Sequence, residues 1–112
     1  MKEFITYLEN RIEEGKAEIV SLEAEGRKDD ANFAKVRTNI YDVCKTVSQA
    51  LGNRPGAGVA AIKARLESFR ASWGAALEKA KQHDDANGIV VEETKLAALS
   101  DIMEHFREVS EA

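Results

Sequence analysis

Residues 5–40 read ITYLENRIEEGKAEIVSLEAEGRKDDANFAKVRTNI, and this stretch decides the fold. Apolar residues recur in it at alternating spacings of three and four, which is the pattern of one face of an α-helix. The pattern stops at Gly26, a residue suited to ending a helix in the left-handed conformation. It resumes at Phe33, with Asp29 or Asp30 placed as an N-cap. The stretch therefore predicts two helices joined by a tight turn.

The rest of the chain repeats this pattern, which predicts four helices over about residues 2–25, 29–51, 58–83 and 91–110. Their apolar stripes are, in order, Ile5, Leu8, Ile12, Gly15, Ile19 and Leu22; Phe33, Val36, Ile40, Val43, Val47 and Ala50; Val59, Ile62, Leu66, Phe69, Trp73, Ala76 and Ala80; and Leu96, Leu99, Met103 and Phe106. A glycine-rich loop, residues 52–58, and a turn-prone stretch, residues 84–88, separate the later helices. Ile89 and Val90 fit either an extended segment or the first turn of the fourth helix.

Four helices of similar length with short connections favour an all-α, antiparallel up-down-up-down four-helix bundle, with one domain over residues 1–112. The stripes would meet at the centre and bury Ile12, Ile40, Phe69 and Ile102 near mid-height. The alternative is two long coiled-coil hairpins. Each of those would need a partner chain, so that arrangement predicts an obligate dimer.

The tetrapeptide Asp-Asp-Ala-Asn occurs twice, at residues 29–32 and 84–87, with an offset of 55. If the repeat marks a duplication, the two halves of the chain are related helical hairpins. The alternative is helix-end chemistry that arose twice. Gly88 follows only the second copy, which indicates different local roles.

Composition supports a cytoplasmic protein. With 44% apolar residues, a chain of 112 residues can bury one core without disulfides or metal. Cys44 has no partner for an intramolecular disulfide, which suits a reducing compartment. Acidic residues interrupt every apolar run near the N-terminus, so neither a secretory signal nor contact with a membrane is expected.

One glycine in the first stripe needs a spatial reason. Gly15 occupies a position otherwise held by Ile or Leu, and it costs a helix about 1 kcal/mol relative to Ala. Helices one and three run parallel in the predicted bundle, and Gly15 lies about as far along its helix as Trp73. We therefore expect the indole of Trp73 to fill the space left at Gly15, with its ring N–H partly towards the surface.

The stripes carry no Glu, His or Cys that could hold an internal metal or haem, so no cofactor, metal ligand or catalytic residue is expected. Asp101 and His105 fall on the solvent side of the fourth helix and are expected to be a solvated pair. A small helical enzyme remains a third class of function, which would need a polar cleft.

Charge is distributed unevenly along the chain. Residues 1–26 hold seven acids against three bases, residues 84–112 hold eight against two, and residues 27–83 hold eleven bases against five acids. Helices one and four would thus form an acidic side, and helices two and three a basic side. The alternative is that these charges pair where acidic and basic helices meet. The bases that could bind an anion or a partner are Lys35, Arg37, Lys45, Arg54, Lys63, Arg65 and Arg70.

Because the core, surface and loops lack a chemical site, the sequence favours a non-catalytic helical protein-interaction module. Its partner would be another protein or a second copy, with helices one and four of one chain against helices two and three of the other. The alternative is an anion or nucleic-acid binder that uses the basic side of helices two and three. Exposed aromatic residues and a recognised nucleic-acid-binding motif are missing, so nucleic acid is the less favoured partner.

Residues 22–36, LEAEGRKDDANFAKV, together with residues 39–43, NIYDV, resemble a segment of small uncharacterised all-helical proteins of Firmicutes. The resemblance covers about a fifth of the chain and consists mostly of helix-turn-helix punctuation. It implies a bacterial helical protein and carries no activity, since that group has none assigned.

Overall fold

The computed structural model describes residues 2–54 and 56–111, and four antiparallel helices make up nearly all of them. They are α1 (Lys2–Ala24), α2 (Lys28–Gly52), α3 (Gly58–Gln82) and α4 (Ala86–Glu111). Within these two ranges there is no strand. No stretch of the described helices is long and apolar enough to cross a bilayer. The predicted all-α four-helix bundle is confirmed, and α1, α2 and α3 begin and end within one residue of their predicted bounds.

The turn between α1 and α2 is a Schellman motif centred on a glycine. Gly26 has a φ of +75°, and the amide of Arg27 donates to the carbonyl of Leu22 at 2.9 Å. Gly26 therefore ends α1 as predicted. The predicted N-cap of α2 was wrong, because Arg27 occupies the cap position and makes no side-chain capping bond. Asp29 and Asp30 lie in the first turn, where their negative charge stabilises the helix by interacting with the positive end of the helix dipole.

The turn between α3 and α4 has the same geometry without a glycine. Asp84 has a φ of +51°, and the amide of Asp85 donates to the carbonyl of Ala80 at 2.9 Å. Asp85 then caps α4, because its Oδ1 accepts the amide of Gly88 at 3.0 Å. The predicted start of α4 at about residue 91 was therefore wrong, since the cap lets the helix begin at Ala86.

The two Asp-Asp-Ala-Asn copies occupy different places. Residues 29–32 lie in the first turns of α2, whereas residues 84–87 run from the turn into α4. Gly26 and Asp84 are the residues with positive φ that follow α1 and α3, and they lie 58 residues apart. The turns of the two hairpins are therefore not offset by the 55 residues that separate the tetrapeptides. The different local roles are confirmed, and residues 89–90 lie within the early turns of α4.

One core lies where all four helices meet, in the first halves of α1 and α3 and the second halves of α2 and α4. Its buried side chains are Phe4, Leu8, Ile12, Ile40, Tyr41, Cys44, Ile62, Leu66, Ala98, Leu99, Ile102 and Phe106. Of the residues predicted at mid-height, Ile12, Ile40 and Ile102 are buried, and Phe69 is only partly buried against this core. Because every helix contributes to it, neither hairpin depends on a partner chain for a core.

The buried face of α2 is more polar than its stripe predicts. Thr38, Tyr41 and Ser48 are buried, whereas Phe33 and Val43 are only partly buried. The hydroxyl of Ser48 has no hydrogen-bond partner in the described part of the chain. The reason is the position of α2, which packs against each of the other three helices and so buries a face wider than one stripe.

The predicted contact between Gly15 and Trp73 was wrong. Within the described residues α1 and α3 do not approach each other, because they flank the central pair α2 and α4 on different sides. A Cβ on Gly15 would instead lie 3.0 Å from Cβ and from Cγ2 of Thr38, and closer still to its Oγ1. Trp73 is partly buried and stacks on Phe69, with 5.0 Å between ring centroids. Gly15 thus provides close approach of α1 to α2.

Candidate interaction surface

Three of the seven candidate bases lie along the seam between α1 and α2. Each of them pairs with a glutamate of α1. The pairs are Lys45 with Glu9 at 3.6 Å, Arg37 with Glu18 at 2.6 Å, and Lys35 with Glu23 at 3.2 Å. The acidic and basic helices of the first hairpin therefore neutralise each other along their length.

The other four bases are distributed over two regions. Lys63 and Arg70 line a groove between α3 and α4, whereas Arg54 and Arg65 are exposed and do not line it. In the described ranges none of these four forms an ion pair. The structure therefore places three of the seven bases in a neutralised seam, two in the groove, and two elsewhere on the exposed surface.

The groove between α3 and α4 has a volume of about 610 Å³. Its apolar lining consists of Val59, Leu66, Leu96, Leu99, Met103 and Phe106, and its polar lining of Lys63, Glu67, Arg70, Ser100, Glu104, Arg107, Ser110 and Glu111. Leu66, Leu99 and Phe106 also belong to the core, so the groove opens onto the edge of the core. It combines apolar contact area with charged side chains, as protein-binding grooves do.

Helical spacing places the groove side chains on one face of α3. Val59, Lys63, Leu66 and Arg70 follow one another at spacings of four, three and four, so they form one row along that helix. Val59 was predicted to begin a buried stripe, but 47% of its surface is exposed. The apolar stripe of α3 thus starts with Val59, which lines the groove, and Ile62 is the first residue of the stripe that is buried in the core.

The apolar residues of α4 are spread too widely for one buried stripe. Ala98 and Ile102 face the core, whereas Leu96 and Met103 are only partly buried and line the groove. Sequence reasoning assigned Leu96 and Met103 to the core stripe and did not single out Glu104 as a groove residue. The width of the apolar stripe in α4 is the one sequence signal of a second apolar surface.

The outer half of the second hairpin is incompletely covered. Between residues 67 and 97, all of which the structure describes, no residue is fully buried. Phe69 and Trp73 lie in parallel planes there, and Lys95 Nζ is 5.6 Å from the centroid of the Trp73 ring. The aromatic residues that would fill the interior of a closed bundle are thus only partly buried.

A separate aromatic cluster joins α1 to α4. Tyr7 stacks on His105 with 3.8 Å between centroids and meets Tyr41 edge-on at 6.3 Å, and Arg11 Nη2 donates to the Tyr41 hydroxyl at 3.0 Å. Burial, reinforced by the nearby Tyr41, raises the pKa of Tyr7 above its ordinary value. The predicted solvated pair was wrong for His105, since its ring is partly buried on Tyr7, while Asp101 is exposed.

Cys44 is buried in the core, and burial raises the pKa of its thiol to about 12. A neutral, enclosed thiol is a poor nucleophile, so Cys44 acts as a packing residue.

Among the residues that the structure describes, no three His, Cys, Asp or Glu side chains converge as a metal site would require. The described residues also form a second cleft of about 420 Å³ between α1 and α2, whose lining is polar or charged except for Ile12, so the groove between α3 and α4 is the more apolar of these two clefts. Comparison of the chain with protein-family models, with curated proteins and with solved structures finds no match, so the resemblance of residues 22–43 to small helical proteins stays a prediction.

Proposed function

We propose that this chain is a non-catalytic helical protein-interaction module that binds a protein partner in the groove between α3 and α4. The observation that carries the proposal is the groove itself, in which the exposed Val59 and the partly buried Leu96 and Met103 lie between charged side chains. Contiguous apolar surface with a polar border is characteristic of protein-binding sites on soluble domains.

The exposed area of the chain supports the proposal. The chain exposes 6815 Å², whereas a compact monomer of 12.3 kDa would expose roughly 6,100 Å². The excess of roughly 700 Å² is close to the ~800 Å² that each partner contributes to an interface of standard size. The chain as a whole, with extents of 45 × 35 × 21 Å, is thus less compact than an average monomer of its mass.

The length of the groove suits a helix. From Val59 to Arg70 its α3 wall is three helical turns, or about 17 Å. A helix packed against this face would present side chains at spacings of three and four residues, which is the usual pattern of recognition by a helix. Lys63 and Glu104 at the edges would pair with its charged residues and set its direction.

Site-specific photo-crosslinking in cells tests the proposal. A photoreactive amino acid at Ser100, which is exposed and lines the groove, should form adducts with protein. The matched control is Val20, which is 67% exposed and belongs to α1 rather than to the groove. Adducts from Ser100 alone would support the proposal. Equal adducts from both positions, or none from either, would contradict it.

A further inference from the structure

We propose that the occupant of this groove is a second copy of the chain, with α3 of each copy packed against α4 of the other. The inference rests on the proposed function, because it names the partner of the same surface. Two α3–α4 hairpins packed face to face would form an intermolecular four-helix bundle. Each hairpin would then cover the groove of the other.

Charge is the first argument for a second copy. α3 carries five bases against two acids, and α4 carries six acids against two bases. The helices of the first hairpin match their charges by ion pairs across the seam. In the described parts of α3 and α4, by contrast, every ion pair lies within one helix. The net positive charge of α3 and the net negative charge of α4 are thus left for a partner to match.

Symmetry shows how one chain can match both charges. A two-fold axis parallel to α3 and α4, placed between the facing hairpins, brings α3 of each copy over α4 of the other in antiparallel orientation. Both contacts join a basic helix to an acidic one, and the interface closes after two copies. A two-fold axis perpendicular to the helices would instead place α3 on α3 and α4 on α4, with like charges opposed.

The layout of the groove is the second argument for a second copy. The apolar lining, including Met103 and Leu96, would lie at the centre and the charged side chains at the border. This is the usual anatomy of a specific interface.

Sedimentation equilibrium with charge-reversal variants tests the arrangement. We expect the chain to be a dimer of twice 12.3 kDa that dissociates more readily at high salt, since exposed charge pairs are screened within about 10 Å at 0.1 M salt. Lys63→Glu/Arg70→Glu makes the α3 wall acidic, and Glu104→Lys/Glu111→Lys makes the α4 wall basic. Each double variant alone should dimerise at least about tenfold more weakly than the wild type, because like charges then face each other.

Mixing the two variants is the decisive step. Each mixed contact joins an acidic wall to a basic one, so the mixture should form a heterodimer about as stable as the wild-type dimer. Lys16→Glu/Lys28→Glu is the matched control for Lys63→Glu/Arg70→Glu, because it makes the same change in net charge on exposed residues that do not line the groove. It should leave dimerisation unchanged. Circular dichroism of each variant checks that helicity is retained.

Several results would overturn the inference. A wild-type chain that is monomeric at both salt concentrations excludes a second copy as the partner. A dimer that resists both charge reversals, or variants that do not recombine, exclude the pairing of α3 with α4. If the chain is a monomer and Ser100 still crosslinks to another protein, only the second copy is refuted. If Ser100 also forms no adduct, the proposed function fails with it.

Discussion

Replacing Gly15 by alanine should destabilise the protein, although alanine is the better helix former. The Cβ of an alanine would lie 3.0 Å from two carbon atoms of Thr38 and closer still to its Oγ1. Thr38 has little room to move, because it is buried and its Oγ1 donates to the carbonyl of Ala34 at 2.7 Å. The substitution must therefore either separate α1 from α2 or break that hydrogen bond.

The magnitude follows from three opposing contributions. Helix propensity gains about 1 kcal/mol when glycine becomes alanine. Overpacking a close contact costs about 1–3 kcal/mol, and loss of the Thr38 hydrogen bond costs about another 1 kcal/mol. The net expectation for Gly15→Ala is a loss of about 1–3 kcal/mol in the free energy of unfolding, measured by urea denaturation with circular dichroism. Gly15→Leu should cost at least as much.

Gly74 provides the matched control within the same fold. It also lies inside a helix, but among the described residues a Cβ added there would meet no heavy atom beyond its own helix within 4 Å. Gly74→Ala should therefore stabilise by up to about 1 kcal/mol. In a Thr38→Ala background, Gly15→Ala should cost clearly less than in the wild type, since Oγ1 and Cγ2 of Thr38 are gone and only its Cβ remains close. If Gly15→Ala stabilises the wild-type chain, or destabilises the Thr38→Ala variant as much as the wild type, the contact between Gly15 and Thr38 is not the reason for the glycine.

Three further outcomes are expected. Asp84→Gly should raise the free energy of unfolding by about 0.5–1 kcal/mol, because Asp84 holds a φ of +51° that glycine adopts freely. Gly26→Ala at the equivalent turn should lower that free energy by about 1 kcal/mol, and urea denaturation measures both changes. Burial raises the pKa of the Cys44 thiol to about 12, from about 9 when exposed. The stability that the buried neutral thiol contributes is therefore complete below pH 9 and is lost as the pH rises towards 12. Cys44→Ala should flatten that part of the pH profile in urea denaturation. His105→Ala should cost about 1 kcal/mol through loss of the stack on Tyr7, and His105→Phe should retain most of it in thermal denaturation.

The first hairpin could be predicted closely because its signals are local. Gly26 must adopt a positive φ to end α1, and this requirement is visible in the residue type alone. The start of α4 was missed for a related reason. Asp84 adopts a conformation usually taken by glycine, and Asp85 caps the helix by bonding the amide of Gly88. Sequence reasoning read the same residues as an extended turn, since turn-forming residues also make good caps.

Which helices touch could not be predicted from the stripes. Stripes define which face of a helix is apolar, but a square bundle and one with α2 and α4 at its centre use the same faces. The contact of Gly15 with Thr38, rather than with Trp73, is decided by that choice. The groove was missed for the same reason, because Met103 and Leu96 look like core residues until the packing of the neighbouring helices is known.

The two hairpins differ in how completely they bury their own surfaces, and this difference supports the proposed binding at the second hairpin. In the outer half of the first hairpin, α1 and α2 approach closely over Gly15, Ala31 and Ala34, and ion pairs close the seam. The second hairpin has Phe69 and Trp73 in the corresponding region, and helices with bulky side chains at their contact lie farther apart. Its interior is therefore only partly buried, and within the described residues no ion pair joins α3 to α4. These differences favour the proposal of binding at α3 and α4, and the predicted basic side of α2 and α3 remains the alternative.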